Sequence, residues 1–286
     1  MVTARQAWKE AAARLAGCGV EDAALDAARL LVHAGGPDAR LWPDEPLTQA
    51  VRRAFDGYVA RRAAREPLQY ILGSWDFMDL TLAVGPGVLI PRPDTELAAQ
   101  LAIDAARRAA ACHPGRAVRA ADLCAGTGAL GLALARHVPG ARVTAVELSG
   151  AAFAYLEKNN AACGGPLVLV QADALAWCPP EPLDVVVSNP PYVTAAEYDA
   201  LAPELYAEPR LALVPAGGEE DGLLFYRALA RNAPALLAPG GELVAEIGDT
   251  QGPAVTALMA AAGLVRVCLH RDLSGHPRVV TACLPV

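Results

Sequence analysis

Asp184-Val185-Val186-Val187-Ser188-Asn189-Pro190-Pro191-Tyr192 reads as a buried strand that stops abruptly. Residues 183–188 form a short apolar run rich in Val, with a Pro-rich segment before it and a Pro pair after it. Pro190 and Pro191 have no N–H to give a sheet, and their rings hold φ at about −65°. Asn189, preceding a proline, is kept extended. The result is a stiff tetrapeptide at the carboxyl end of a strand, which is the edge where open α/β sheets bind ligands. It offers a carboxamide, carbonyls without neighbouring donors and one aromatic ring. A Pro-rich strand exit is common by itself, so its neighbours decide what it means.

On either side the pattern alternates strand and helix, which predicts an α/β fold with a mostly parallel sheet covered by helices. Strands are expected at 117–124, 141–146, 167–170, 183–188 and 242–247, with helices at 129–137, 150–162, 222–233 and 254–262. Two final strands, 264–270 and 278–284, follow without a helical interval and are expected to pair antiparallel. Upstream, Asp94 or Thr95 can cap a helix running to about Ala111. Residues 1–64 read as helices only. The third of these helices carries Arg52, Arg53, Arg61, Arg62 and Arg65, either as a solvated face or as a docking surface for an acidic partner or RNA. Residues 193–221 read as a long loop with Glu197, Glu204, Glu208 and the acidic run Glu219-Glu220-Asp221.

The 286 residues are 54% hydrophobic and 19% charged, a globular composition. A net charge of −7 is the opposite of what a protein gripping phosphate backbone usually carries, so direct nucleic-acid binding is not expected. Seven cysteines without CxxC spacing suggest neither a disulfide framework nor a zinc site, and no metal is expected. Met1-Val2-Thr3-Ala4-Arg5 lacks an apolar signal region, and no run is long enough to span a bilayer. These features favour a soluble protein of a reducing cytoplasm.

Three further strand ends carry chemistry. Asp122-Leu123-Cys124-Ala125-Gly126-Thr127-Gly128 leaves a strand and opens a helix, so backbone can approach a ligand closely at a helix N-terminus. It matches neither GxGxxG nor a P-loop. Glu147 ends the second strand, where an acid can accept hydrogen bonds from ribose hydroxyls. Asp173 ends the third, placed for an adenine amino group or as a simple cap of the following turn. A Gly turn and two acids on successive strand ends form a nucleoside pocket. With no phosphate-specific residues added, S-adenosylmethionine fits it better than NAD.

With Asn189-Pro190-Pro191-Tyr192 on the fourth strand end, the chain resembles the class I S-adenosylmethionine-dependent methyltransferases. More closely, it resembles the PrmC/HemK family of protein-(glutamine-N5) methyltransferases that modify peptide chain release factors. The likeness spans nearly the whole chain. It includes Glu66–Gly73, Leu89-Ile90-Pro91-Arg92-Pro93-Asp94-Thr95-Glu96, Asp122–Gly128, Ser188–Tyr192, Glu208-Pro209-Arg210, Gly218–Tyr226 and the turn Pro239-Gly240-Gly241. The resemblance implies a Rossmann-like seven-stranded sheet with helices on both faces. It also implies a helical docking domain at 1–73, a connector with a β-hairpin at 74–93 and a methyltransferase domain at 94–286. Asp122, Cys124, Ala125, Gly126, Thr127 and Gly128 would hold the methionine portion of the cofactor, Glu147 the ribose, and Asp173 would lie by the adenine. Asn189, Pro190, Pro191 and Tyr192 would hold the substrate glutamine of a class 1 release factor, with Asn189 next to the cofactor as well. Cys124 and Ala125 depart from the Gly and Thr frequent in the family.

An amide nitrogen is a poor nucleophile because its lone pair is delocalised into the carbonyl. If Asn189 Oδ1 and the Pro190 carbonyl accept its two N–H bonds, the nitrogen is fixed and pyramidalisation is favoured. Two other readings compete. One is a methyltransferase of exocyclic amines in DNA or RNA, which share the Asn-Pro-Pro-Tyr motif and would stack a flipped base on the Tyr. The other is a non-enzymatic scaffold on the same fold.

Overall fold

The computed structural model describes residues 2–217 and 220–286. Met1, Gly218 and Glu219, the last being the first member of the acidic run, lie outside the described residues. The chain forms two compact units. One comprises Met1–Ser74 with Ala202–Ala207, and the other comprises Trp75–Leu201 with Glu208–Val286.

The first unit contains helices α1 (Ala4–Gly17), α2 (Ala23–His33), α3 (Gln49–Ala63) and α4 (Leu68–Leu72), plus a single 3₁₀ turn at Pro203–Ala207. Thr3 and Gln6 form a reciprocal capping box that starts α1. Ala4, Ala7, Ala11 and Leu15 then recur at helical spacing on its buried face. Gly73, in the left-handed region at φ 73°, ends α4.

Four of the five arginines between positions 52 and 65 are engaged inside this unit. Arg52 pairs with Asp56 and Glu10, Arg61 with Glu66, Arg62 with Asp26 and Glu204, and Arg65 with Glu204. Arg62 departs from a solvated face, being only 8% exposed with its guanidinium bonded to Asp26 at 2.8 Å and Glu204 at 2.9 Å, whereas Arg53 and Arg61 are exposed. Burial alone would raise the Glu204 carboxyl, but hydrogen bonds from Arg65 and Arg62 outweigh it and bring it from 4.5 down to about 2. Its contribution to stability is therefore complete above the first value and is lost as the pH falls toward the second. Replacing Arg62→Met leaves buried Asp26 without its partner, so urea unfolding should register a loss of about 3 kcal/mol.

From the last residue of the first unit's main segment the chain enters β1 (Ser74–Phe77), which makes a hairpin with β2 (Leu80–Ala83) and is followed in the second unit by α5 (Thr95–Cys112). A doubly wound domain succeeds it: β3 (Arg119–Leu123), α6 (Ala129–His137), β4 (Arg142–Glu147), α7 (Gly150–Ala162), β5 (Leu167–Gln171) and β6 (Leu183–Ser188). The segment expected to be loop contains α8 (Ala195–Tyr198) and α9 (Arg210–Leu213). After it come α10 (Leu224–Leu236), β7 (Leu237–Glu246), α11 (Gly252–Ala261), β8 (Val265–Arg271) and β9 (Pro277–Cys283).

The sheet has seven strands in the order β5-β4-β3-β6-β7-β9-β8. β3 to β7 are parallel, while β9 pairs antiparallel with both β7 and β8. Alternating residues of β3 show how it is covered. Ala120 packs with Ala102, Ile103 and Leu132 of α5 and α6, and Ala121 and Leu123 pack with Tyr226, Leu229 and Met259 of α10 and α11. β7 begins earlier than the expected 242–247, and Gly241 lets it approach β6. A Cβ there would lie 2.8 Å from the Leu183 carbonyl oxygen.

Neither expected residue caps α5 through its side chain. Asp94 pairs instead with Arg278 at 3.2 Å, and the Thr95 hydroxyl accepts from Asn189 Nδ2 at 3.2 Å. No helix among the described residues is long and apolar enough to cross a membrane.

Candidate functional site

The chain runs β3-β4-β5 toward one edge of the sheet and then returns to place β6 on the other side of β3. A crevice opens at the carboxyl ends of strands where the winding direction reverses in this way. It holds a cleft of about 970 Å³ of empty space, open mouth included. Cys124, Ala125, Gly126, Thr127, Glu147 and Asp173 line it from one side of the switch point, and Asn189 and Pro191 from the other. Four other expected site residues do not line it: Asp122, Gly128, Pro190 and Tyr192.

The turn from β3 into α6 explains its own sequence. Cys124, Gly126 and Gly128 all have positive φ, at 64°, 55° and 84°. Gly128 also allows close packing, since a Cβ there would lie 2.6 Å from Leu156 Cδ1. At Gly126 the nearest atom to such a Cβ is 4.0 Å away, so the space beside this backbone is open. Cys124 adopts a conformation that suits Gly, and burial pushes its thiol well above the ordinary range, so it stays neutral. Cys124→Gly should leave the turn intact. Cys124→Val, β-branched at positive φ, should lower stability by about 1–2 kcal/mol in thermal unfolding.

Asp122 holds the turn from behind. Its side chain lies on the α6 face of β3, and Oδ2 accepts from Gly131 N at 2.8 Å. Burial, opposed by that bond and reinforced by Glu147, raises its carboxyl to about 7, and Oδ1 has no partner. Asp122 thus ties the turn to α6 from the face of β3 opposite Ala121 and Leu123.

Glu147 joins the turn to β4. Its Oε2 accepts from Gly126 N at 2.8 Å and its Oε1 from Ser149 N at 2.7 Å. A carboxylate has about four lone-pair sites, so each oxygen keeps capacity for another donor. Asp173 caps the following turn, its Oδ1 accepting from Leu175 N at 2.9 Å, and the residue is exposed and lines the cleft.

Across the crevice, Asn189 is half-buried and Tyr192 is fixed through its backbone. Gln251 Nε2 donates to the Tyr192 carbonyl at 3.0 Å. Burial carries the Tyr192 phenol well above its usual range, and the ring stands outside the cleft lining, not over it.

Sequence reasoning gave no role to Glu208, although the segment 208–210 was singled out. It is 4% exposed. Its Oε2 accepts from Ile90 N at 2.9 Å, and its Oε1 pairs with Arg92. This single carboxylate fastens the 90–92 segment as another wall of the cleft. Asn159 was also missed. Its Nδ2 donates to the Thr127 carbonyl at 3.0 Å, and its side chain exchanges two bonds with the backbone of Ala83. In the sequence Asn159 shows only as a carboxamide within a helical segment, and Glu208 only as the first residue of Glu208-Pro209-Arg210. Among the described residues, no cluster of side chains could hold a metal ion.

Comparison with known proteins adds two family matches, the PrmC N-terminal domain over residues 6–73 and the methyltransferase small domain over residues 110–219. The release factor glutamine methyltransferase of Cereibacter sphaeroides is 44% identical over 289 residues, with 99% of each chain covered. That of Streptomyces coelicolor is 42% identical, covering 96% of this chain and 95% of its own. A methyltransferase from Pyrococcus furiosus of known crystal structure shares the fold, with a TM-score of 0.51 at 16% identity over 73% of this chain and 91% of its own. With full-length relatives at this identity, the chain belongs to the family of release factor glutamine methyltransferases.

Proposed function

We propose that this protein methylates the side-chain amide nitrogen of the glutamine in the Gly-Gly-Gln loop of class 1 release factors, with S-adenosylmethionine as methyl donor. The observation that carries the reading is the meeting of Asn189 and Pro191 with Gly126 and Glu147 in one cleft. The donor set suits the cofactor. Two carboxylates, Glu147 and Asp173, face the cleft, and the one cationic lining residue among the described residues, Arg92, is paired with Glu208. That balance favours a ligand with net positive charge over a phosphate. The open space beside Gly126 admits a close backbone approach. When bound, S-adenosylmethionine supplies an electrophilic methyl group on a positively charged sulfur.

This chain's own residues do the rest. Glu147, with lone pairs left after its bonds to Gly126 and Ser149, accepts from the ribose hydroxyls. Asp173 keeps its second oxygen for the adenine edge. Asn189 Oδ1, in the cleft lining, accepts one N–H bond of the glutamine amide and holds its nitrogen toward the methyl group, and the second N–H is assigned to the Pro190 carbonyl, which stands outside that lining. No strong base is needed beforehand, because the nitrogen becomes acidic as it gains the methyl and releases its proton readily. Rate then comes from alignment and from dipoles set at developing positive charge.

We assign release factor docking to residues 1–73, joined by the connector 74–93 to the methyltransferase domain 94–286. The alternative of a DNA or RNA amine methyltransferase loses its main support. Arg52, Arg61, Arg62 and Arg65 are already paired with carboxylates, and the net charge is −7.

Mass spectrometry of release factor digested after incubation with the protein and S-adenosylmethionine tests the reading. One methyl group on the glutamine of the Gly-Gly-Gln peptide is expected, with a lower KM for intact factor than for a short peptide. Methylation of DNA or RNA with an unmodified factor would overturn it.

A further inference from the structure

Glu246 is a buried carboxyl that the mechanism above does not use. It ends β7, is 2% exposed, and its Oε2 has no hydrogen-bond partner. Such groups are few in folded proteins and each needs a reason. Register shows where it stands. Val187 is level with Val244 and Ser188 with Ala245, so the next step puts Glu246 beside Asn189. Its main chain is fixed as well, because the Tyr226 hydroxyl donates to the Glu246 carbonyl at 2.8 Å.

The groups facing its carboxyl come from several elements. Thr95 and Asp94 stand at the start of α5, Arg92 just before it, Arg278 on β9, Tyr192 after β6 and Tyr226 on α10. Arg278 directs its guanidinium to Asp94 and Asp272, at 3.2 and 3.3 Å. Between Glu246 and the cleft lies Thr95, 4% exposed, whose hydroxyl accepts from Asn189 Nδ2 at 3.2 Å.

We infer that Glu246 is a positioning residue which, through the Thr95 hydroxyl, fixes the end of the Asn189 carboxamide that faces the cleft. The inference rests on the functional reading above. The two ends of a carboxamide have nearly the same shape, so only their partners distinguish them. A threonine hydroxyl has one proton. Directed at the Glu246 carboxylate, it leaves only lone pairs for Asn189, which must then offer Nδ2 to Thr95 and Oδ1 to the substrate. Without that acceptor, Thr95 can donate to Oδ1 instead. The carboxamide then turns its N–H bonds toward the N–H bonds of the glutamine, and both are repelled.

Once protonated, the Glu246 carboxyl can direct its own O–H at the Thr95 oxygen, which frees the Thr95 proton for Asn189 Oδ1 with the same consequence. Burial raises its carboxyl to about 7, against hydrogen bonding by Thr95 and the charges of Arg278 and Arg92. The ordering is therefore present above that pH and lost as the pH falls through it.

The test compares the full-length parent with Thr95→Ser, Thr95→Val and Glu246→Gln. Turnover of a Gly-Gly-Gln peptide is measured across pH, and affinity for S-adenosylhomocysteine controls for an intact cofactor site. Thr95→Val should lose about 10-fold or more in kcat with that affinity unchanged, and Thr95→Ser should stay near the parent. The parent should show an acid limb near neutral pH that Glu246→Gln lacks. Thr95→Val within twofold of the parent, or an unchanged limb in Glu246→Gln, would overturn the inference while leaving the functional reading intact. A second readout needs no turnover. The ¹⁵N signal of the Asn189 carboxamide, assigned by its loss in Asn189→Ala, should shift with pH in the parent and stay fixed in Glu246→Gln. A signal equally still in both also overturns it. A parent that leaves the peptide unmodified would refute the functional reading instead, with the carboxamide signal still deciding the orientation.

Discussion

An Asn189→Ala protein should bind S-adenosylhomocysteine nearly as well as the parent yet turn over about 100-fold or more slowly. Removing one preorganised hydrogen-bonding group from a reacting centre costs 10²–10³ in rate. Asn189 is such a group if its Oδ1 holds the glutamine nitrogen. Its Nδ2 is already committed to Thr95, so the side chain is held before substrate arrives. The cofactor side of the cleft hangs on other elements, the turn after β3 and Glu147 on β4, whose bonds to Gly126 and Ser149 do not involve β6. Ala at position 189 also leaves a half-buried side chain truncated, not a core cavity, so the fold should survive. Steady-state kinetics and calorimetric titration separate the two effects. Turnover near the parent's would remove Asn189 from the mechanism, and an equal loss of cofactor affinity would relocate it to the cofactor site.

The second large effect is expected at Gly222, a residue outside the cleft lining. Its φ is +65°, and a Cβ built there would lie 2.1 Å from the Tyr192 carbonyl oxygen and 2.7 Å from Gln251 Nε2. Those two atoms form the hydrogen bond that fixes the backbone of Tyr192, at 3.0 Å. The obstacle is backbone that follows two prolines and has little freedom to give way. Gly222→Ala must therefore move Tyr192, break the Gln251 bond or displace residue 222 itself. A loss of about 3 kcal/mol or more in denaturant unfolding, with kcat falling alongside, is expected. Gly263→Ala provides the control. Its φ is +82° with nothing within 4 Å of the added Cβ, so it carries backbone strain alone, about 1 kcal/mol. If both variants lose the same amount, the contact with Tyr192 contributes nothing.

Local chemistry was sufficient for much of this molecule. The Val run of β6 and the proline pair after it dictate a buried strand with an abrupt end, and β6 spans Leu183–Ser188. Helix α6 begins where Gly128 releases the chain, and Ser149 caps α7 through a bond to Ala152 N. The acids at 147 and 173 were legible because a strand's carboxyl end is a fixed place in an alternating fold.

Long-range contacts decided what remained. Asp122 had a place only through the family resemblance, and the tertiary structure supplies the bond from Gly131 N by which its carboxyl ties the turn to α6. The burial of Arg62 and the long-range partner of Arg52 were not legible, because Glu10, Asp26 and Glu204 come from distant positions in the chain. Glu208 and Glu246 had no legible role, since each acquires one only when sheet register and loop return bring Ile90, Arg92, Thr95 and Asn189 beside them. Periodicity and turn chemistry are properties of neighbours along the chain, whereas the partners of a buried charge are set by the packing of segments a hundred residues apart.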